Sequence, residues 1–329
     1  MKMRKYVSAV ALALSLGVAV LSSSASAANM KFVYLTQTGI DNSFWQAIKK
    51  GMDDACAQFE VDCQLLFTEP NGDLQKHLQN LDTVIEQGVD GIVNVIVNDD
   101  LYDEATKRAI DKGIPVITAN VDDTQGAAGN ARLAFVGQDL FGAGYILTKA
   151  LLDKIPADQP VNALLGLSAP GQSWAEARIG GAKKYLDELK AASPDRKIAY
   201  EVIDSSTDIS VTATRICQYV QGHPDTNVYV DAGFWGAGAG ECLRDLGVKP
   251  GQLHMAMFDL VPVVLDEMKK GYVDLTIDQQ PYYQGYLPIL QLYMIKKFGL
   301  SAFDVNTGKA LIEPKDVDAV QKFVEMGVR

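Results

Sequence analysis

The chain has 329 residues, of which 48% are apolar and 22% are charged, and its formal net charge is −11. These values are typical of a folded globular protein and exclude a disordered or fibrous chain. The negative charge also makes nucleic acid an unfavourable partner, because protein and phosphate backbone would repel each other. At this length, two domains of roughly 150 residues each are expected.

Residues 1–27 have the three-part layout of a secretory signal peptide. A basic start within residues 2–5 is followed by the uncharged stretch 7–21 and by the Ala-Ser-Ala sequence 25–27. The uncharged stretch is shorter than the ~20 residues that a membrane span needs. We therefore expect cleavage after residue 27, export to the bacterial periplasm and a soluble mature protein. A single N-terminal anchor helix is the alternative.

Four cysteines follow the predicted signal peptide: Cys56, Cys63, Cys217 and Cys242. An oxidising compartment permits disulfides, and four cysteines allow three pairings. Proximity in the sequence favours Cys56–Cys63 and Cys217–Cys242, and four buried free thiols are the alternative. No C-x-x-C sequence occurs, so neither a zinc ribbon nor a thioredoxin-like redox site is supported.

Strand-like and helix-like patterns alternate along the rest of the chain. The predicted elements are, in order, strand 32–36, helix 43–59, strand 61–67, helix 73–87, strand 91–97, helix 101–112, strand 116–119, strand 133–136, helix 141–155, strand 162–167, helix 174–192, strand 198–203, helix 209–220, strand 227–230, helix 238–246, strand 253–258, helix 261–270, strand 275–277, helix 282–298 and a helix-like segment 317–326. Continuous apolar strands indicate parallel sheets covered by helices on both faces. The chain is therefore predicted to be an α/β protein with two lobes, and the Gly/Ala/Asn-rich stretch 124–130 marks the expected break.

Catalytic and metal-binding signatures are weak in this sequence. His77, His223 and His254 have no metal-ligand spacing to one another, and His77 is predicted to be a surface residue of a helix. Residues 166–170 have a proline in place of the last glycine of a G-x-S-x-G elbow, and the Gly-rich run 236–240 lacks a P-loop lysine. We predict that the protein is not an enzyme and uses no metal and no cofactor.

Polar and aromatic side chains follow the predicted strands, where ligands bind in open parallel sheets. Trp45, Trp174 and Trp235 all fall in strand-end loops or at helix starts. Aromatic rings stack on the C–H faces of sugars, and Asp, Asn, Gln and Arg satisfy hydroxyls that both donate and accept. Core packing is the alternative for each tryptophan, and helix capping is the alternative for each Asp or Asn.

In these residues the chain resembles the periplasmic sugar-binding proteins of the ribose-binding type, which are receptors of ABC importers. The resemblance extends from about Lys31 to about Glu313. The segments that carry it are Asn42-Ser43-Phe44-Trp45, Gln87-Gly88-Val89-Asp90-Gly91-Ile92, Gly113-Ile114-Pro115-Val116-Ile117, Ala175 to Gly181, Phe258-Asp259 and Thr276-Ile277-Asp278-Gln279-Gln280-Pro281.

The resemblance implies a type I periplasmic binding protein, with two Rossmann-like lobes of parallel sheet flanked by helices and a hinge of three crossing strands. The expected N-terminal lobe comprises residues 28–137 and 280–307. The expected C-terminal lobe comprises residues 138–279 and 308–329. The role of the segment after Glu313 stays open.

The resemblance also implies a ligand pocket between the lobes, with Arg178 as the guanidinium ligand. The expected pocket residues are Asn42, Phe44, Trp45, Asn98, Asn120, Trp174, Arg178, Asp231, Asp259 and Gln279. The chain departs from ribose binders at Asn120-Val121, where they have Asp-Arg, and at Asp231-Ala232-Gly233, where they have Asn-Asp. A pentose, a hexose, a deoxy-sugar, a polyol or a sugar-like signal therefore all remain possible ligands.

The function implied is capture of a small neutral sugar or polyol by hinge closure, with delivery to the membrane permease of an ABC importer. The protein is expected to be a monomer. A ligand-presenting role for a chemoreceptor or sensor kinase is the first alternative, and a secreted glycosidase is the second. A sugar-responsive transcription repressor would need an N-terminal helix-turn-helix, and the predicted signal peptide occupies that place.

Overall fold

The computed structural model describes residues 29–308 and 310–329. The predicted signal peptide lies outside these residues. Within them, no helix combines the length and the apolar character that crossing a membrane requires.

Strands and helices alternate along the described chain. The strands are β1 (Lys31–Leu35), β2 (Asp62–Leu66), β3 (Gly91–Asn94), β4 (Val116–Asn120), β5 (Ala134–Gly137), β6 (Val161–Leu167), β7 (Ile198–Asp204), β8 (Val228–Asp231), β9 (His254–Phe258), β10 (Leu275–Asp278), β11 (Val305–Asn306) and β12 (Ala310–Ile312). The helices are α1 (Trp45–Phe59), α2 (Leu74–Glu86), α3 (Asp103–Asp111), α4 (Leu140–Leu152), α5 (Ser173–Ala192), α6 (Ile209–Gly222), α7 (Gly240–Asp245), α8 (Pro262–Lys269), α9 (Pro281–Phe298) and α10 (Val317–Glu325).

The strands form two six-stranded sheets. The first has the order β11-β5-β4-β3-β1-β2 and is parallel throughout. The second has the order β12-β10-β9-β8-β6-β7 and is parallel except for β12, which runs antiparallel to β10. We call each sheet with its flanking helices the first lobe and the second lobe. The prediction of an α/β protein with two mainly parallel sheets flanked by helices is confirmed.

The chain passes between the lobes three times: after β5, after β10, and between β11 and β12. Helix α4 packs on α5, β9 and β10 of the second lobe, and α9 packs on α1, β3 and β4 of the first. The break predicted at residues 124–130 was wrong, because these residues connect β4 to β5 and both strands pair in the first sheet. The Gly/Ala/Asn-rich composition of residues 124–130 belongs to a surface loop within the first lobe.

The core of each lobe is its sheet, buried between layers of helices. Strands β3, β4, β8 and β10 are buried along their whole length, which explains why their sequences are apolar without alternation. Both predicted disulfides are present: Cys56–Cys63 ties α1 to β2, and Cys217–Cys242 ties α6 to α7. The alternative of four free thiols is thereby excluded.

The prediction that His77 is a surface residue was wrong. His77 is fully buried, and its Nδ1 lies 3.0 Å from the hydroxyl of Tyr102. The residue stands four positions before Leu81 on α2, which places it on the apolar face that also carries Ile85. Burial lowers the pKa of His77 to about 4, so its ring is neutral at pH 7.

Candidate ligand-binding site

A cavity of about 60 Å³ lies between the lobes, at the carboxyl ends of the strands of both sheets. The first lobe lines it with the loops after β1 and β4, and the second lobe with α4, α5 and the loops after β8, β9 and β10. The predicted pocket residues that line it are Asn42, Phe44, Trp45, Asn120, Trp174, Arg178, Asp259 and Gln279.

The loop after β1 presents an aromatic pair, Phe44 and Trp45, whose ring centroids are 5.8 Å apart in an edge-to-face arrangement. Asn42 holds this loop, because its Oδ1 accepts a hydrogen bond of 3.1 Å from the backbone N–H of Phe44. Trp45 is only 2% exposed and also meets the ring of Tyr34. Trp45 therefore packs in the core and lines the cavity at the same time.

Helix α5 places Trp174 and Arg178 one turn apart, so that both side chains line the cavity. The helix packs very closely on α4 at this point. A Cβ atom on Gly144 of α4 would lie 1.9 Å from the carbonyl oxygen of Arg178. Only glycine permits this approach, which sets the height of the Arg178 side chain above the second sheet.

The guanidinium of Arg178 is buried and held from three sides. Its Cζ lies 3.8 Å from the ring centroid of Phe258, as in a cation–π contact. One terminal nitrogen donates to the carbonyl of Ala232 (2.8 Å), and the other donates to Oε1 of Gln138 (3.3 Å). Its Nε is buried and has no hydrogen-bond partner among the described residues.

Arg178 and Asp259 are the two charged side chains of the cavity lining. Burial lowers the pKa of Arg178 to about 10, and the carboxylates of Asp259 and Asp231 oppose this effect. Burial raises the pKa of Asp259 to about 6, and the charge of Arg178 opposes this effect, together with a hydrogen bond from Gln279. Both groups are ionised at pH 7. The cavity lining is therefore neutral in sum but strongly polar.

A chain of amides and one carboxylate joins the two lobes where β10 passes into α9. Asn120 Nδ2 donates to Oε1 of Gln284 (2.9 Å), and Gln279 Nε2 donates to Oδ1 of Asp259 (2.6 Å). Asn120 and Asp259 have φ angles of 66° and 73°, in the left-handed region that non-glycine residues seldom adopt.

The structure places two predicted pocket residues outside the cavity. Asn98 is exposed, and its Oδ1 accepts a hydrogen bond from the backbone N–H of Leu101 (3.1 Å), so its side chain has a capping role. Asp231 is fully buried, and its two oxygens accept hydrogen bonds from Ser168 Oγ (2.6 Å) and Gly236 N (2.6 Å). Asp231 therefore shapes the loop after β8 rather than facing a ligand.

Several lining residues were not in the predicted set: Gln37, Thr38, Val121, Leu140, Gly233, Phe234 and Trp235. Trp235 is one of the three strand-end tryptophans of the sequence. A Cβ atom on Gly233 would lie 2.1 Å from the Trp235 ring, so the indole packs directly over the glycine backbone. The sequence feature that could have identified Trp235 as a lining residue is the glycine two positions before it, shortly after a strand.

A wider hollow adjoins the cavity at Leu140 and opens between the lobes. Its acidic side chains are Asp99, Asp100, Asp122, Asp123, Asp139 and Glu176. No group of three or more His, Cys, Asp or Glu side chains is arranged to hold a metal ion within residues 29–308 and 310–329. The excess of carboxylates beside the cavity disfavours anionic ligands.

The lobes also contact each other directly across the cleft. The backbone N–H of Ser173, at the start of α5, donates to the carbonyl of Val97 in the first lobe (2.9 Å). At the crossovers, Gln138 Nε2 donates to the carbonyl of Gly308 (3.0 Å). The structure thus has the two lobes in contact on either side of the cavity.

Two lobes connected by three crossovers, with a polar and aromatic cavity between them, define the class of this protein. The family model described as "Periplasmic binding protein domain" matches residues 33–299. The chain belongs to this family.

The chain is 27% identical over 295 residues to a xylose/arabinose-binding protein of Sulfolobus acidocaldarius, and the match covers 86% of this chain and 68% of the relative. It is 25% identical over 270 residues to the D-allose-binding periplasmic protein of Escherichia coli, with coverages of 79% and 82%. A crystal structure of an ABC sugar transporter from Legionella pneumophila, described as a periplasmic sugar binding protein, superposes with a TM-score of 0.76 at 26% identity and covers 84% of this chain and 99% of the neighbour.

These comparisons confirm the predicted family and its two-lobe fold. The relatives are named as binding proteins, in agreement with the prediction that the chain is not an enzyme.

Proposed function

We propose that this protein is an exported solute-binding protein that captures a small neutral sugar or polyol and delivers it to the membrane permease of an ABC importer. The observation that carries the proposal is the make-up of the cavity between the lobes. It combines one buried guanidinium, one buried carboxylate, side-chain amides and aromatic rings. The relatives named as binding xylose, arabinose and allose support the same ligand class.

The cavity has the chemistry that sugar hydroxyls need. Each hydroxyl both donates and accepts a hydrogen bond. Arg178 offers the unused N–H of its Nε, and Asp259 offers a carboxylate oxygen next to the one bound by Gln279. The rings of Phe44 and Trp174 offer faces for the C–H groups of a sugar ring. The neutral sum of charges and the acidic hollow beside the cavity both favour an uncharged ligand.

Capture requires the lobes to open and close. We propose the N-terminal lobe as residues 28–137 and 280–307, the C-terminal lobe as residues 138–279 and 308–329, and the three crossovers as the hinge. A ligand contacted by both lobes favours the closed form by its differential affinity for the two forms. Moving the population from 1:99 to 99:1 takes about 5.5 kcal/mol, which several buried hydrogen bonds can supply.

The closed form brings the rims of the two lobes together, and we propose that the permease recognises this form. The relative of known structure from Legionella pneumophila is named as part of an ABC sugar transporter, which favours transport over a sensory role. We further propose that residues 1–27 direct export to the periplasm and are then removed, and that the mature protein acts as a soluble monomer.

The test is a thermal-shift screen of protein purified from the periplasm of an expression host, with monosaccharides, polyols, disaccharides and sugar acids. A neutral monosaccharide or polyol at 100 times its Kd should stabilise the protein by about 2.7 kcal/mol, which raises Tm by several degrees. Sugar acids should have no effect. A screen in which no carbohydrate raises Tm, or conversion of a labelled sugar to a new product, would refute the proposal.

A further inference from the structure

Resting on the proposed function, we infer that the bound sugar lacks a hydroxymethyl group, as in a pentopyranose or a 6-deoxyhexopyranose. The inference comes from one side of the cavity that offers no free hydrogen-bond acceptor. We call this side the acceptor-free wall. It consists of Leu140, Trp174, Gly233, Phe234 and Trp235.

The side chains of the acceptor-free wall contain no acceptor atom. Leucine, phenylalanine and glycine have no polar side-chain atom, and an indole has only its N–H donor. The indole N–H of Trp174 is already used, because it donates to Oε1 of Gln172 (2.7 Å). The ring of Trp235 stacks on Phe234 with centroids 4.5 Å apart and lies 6.0 Å from the ring of Trp174. The three rings thus form one continuous apolar surface.

The backbone carbonyls of the wall are occupied as well. The carbonyl of Gly233 accepts a hydrogen bond from Phe258 N (2.8 Å), and the carbonyl of Phe234 accepts one from Ala237 N (3.1 Å). The other three wall residues stand at the starts of α4, α5 and the 3₁₀ helix Trp235–Ala239, where carbonyls accept from helix N–H groups. A ligand hydroxyl beside the wall therefore finds only carbonyl oxygens that already accept a hydrogen bond.

Free acceptors of the cavity lie at the crossover instead. Asp259 accepts a hydrogen bond from Gln279 with Oδ1 only, and its Oδ2 accepts none from the described residues. The Oδ1 of Asn120 likewise accepts none from them. Together with the unpaired Nε of Arg178, these atoms give the sugar hydroxyls both donors and acceptors along this side of the cavity.

The affinity for a sugar should therefore depend on which of its groups lies against the acceptor-free wall. A hydroxymethyl group there would lose its hydrogen bonds to water on closure and leave its hydroxyl proton unpaired. We expect this loss to weaken binding about 10- to 100-fold. A ring CH₂ or a methyl group has no such requirement and gains apolar contact with the indoles.

The test is calorimetry with pairs of sugars that share their ring stereochemistry and differ at this one carbon. Suitable pairs are L-fucose with L-galactose, L-rhamnose with L-mannose, D-xylose with D-glucose and L-arabinose with D-galactose. In the pair that binds best, the member without the hydroxymethyl group should bind at least 10-fold tighter. Equal or tighter binding of the hydroxymethyl sugar would overturn this inference and leave the proposed function standing. Binding of no sugar in any pair would overturn both.

Two variants of Leu140 test the cause of the preference. Leu140 is half-buried at the start of α4, so a side chain of similar length can replace it without opening the core. Leu140→Gln supplies an acceptor and should reduce the preference to less than about threefold. Leu140→Met supplies none and should keep the ratio of the two affinities, whatever their absolute values. An unchanged ratio in Leu140→Gln would contradict the missing-acceptor explanation.

Discussion

On the first lobe the cavity is lined by neutral side chains, such as Gln37, Asn42 and Asn120, whereas on the second lobe it is lined by Arg178 and Asp259. The two charges are positioned by contacts that lie mainly within the second lobe, with Phe258, Ala232 and Gln279. The charged part of the site is thus held mainly by the second lobe. In the proposed closure, the first lobe would add neutral amides and aromatic rings.

This difference predicts on which lobe a substitution weakens ligand binding more. A change on the second lobe leaves a buried charge without its partner, which costs more than the loss of a neutral contact. A change on the first lobe removes apolar contact or a neutral hydrogen bond. Substitutions on the second lobe should therefore weaken ligand binding more than substitutions on the first.

Arg178→Ala should have the largest effect on ligand binding. The variant loses the only guanidinium of the cavity lining and leaves the buried carboxylates of Asp231 and Asp259 without a nearby cation. We expect at least a 100-fold weaker affinity, measured by calorimetry with the best ligand of the screen. Circular dichroism should show a retained fold, and Arg178→Lys should recover part of the affinity. Unchanged binding by Arg178→Ala would remove this residue from the site.

The double variant Phe44→Ala with Trp45→Ala should weaken binding less, by about 10- to 50-fold, because it removes stacking surface and no charge. Trp45 also packs in the core against Tyr34, so Tm should fall too. The single variant Phe44→Ala separates the two effects and should keep most of the stability. If Phe44→Ala binds the sugar as tightly as the unaltered protein, the aromatic pair serves the core alone.

Affinity should also fall at acid pH. Because burial raises the pKa of Asp259 to about 6, this carboxylate takes up a proton as the pH falls below 6, and it can then no longer accept hydrogen bonds with both oxygens. The affinity should be constant above about pH 7 and fall by about 10-fold per pH unit well below pH 6. Asp259→Asn should bind more weakly at pH 7 and show a flat profile between pH 5 and 7. An unaltered protein with a flat profile would show that Asp259 does not contact the ligand through its ionised form.

Asn98→Ala should have the smallest effect. Its side chain caps the turn before α3 and lies beside the open hollow, not in the cavity. We expect a loss of about 1 kcal/mol in the free energy of unfolding and an affinity within about twofold of the original. A large loss of affinity would mean that the hollow takes part in ligand binding.

Most of the fold could be predicted because local patterns determine it. The strand and helix sequence followed from apolar runs and helical periodicity, as in the fully buried β3 and the amphipathic α2. Strands β11 and β12 were missed because they have two and three residues, and only pairing with β5 and β10 makes them strands. Such long-range pairing leaves no local pattern to read.

Site residues could be predicted where a polar residue ends a strand or directly follows one, as for Asn120 and Asp259. It was not predictable where the same residue type can serve two purposes. Asp231 also stands at the end of a strand, but its carboxylate accepts hydrogen bonds from Ser168 and Gly236 instead of facing the cavity. Leu140 gave no signal, because an apolar residue at a helix start is normally read as part of the core.

Capture by closure predicts that the distance between the two lobes changes when sugar binds. The described residues contain no free cysteine, so spin labels can be attached at Asp100→Cys and Glu176→Cys, which face the hollow from opposite lobes. Electron paramagnetic resonance should show a broad or long distance distribution without ligand and a single shorter distance with the tightest-binding monosaccharide. A sugar that binds while the distribution stays unchanged would contradict capture by closure of the two lobes.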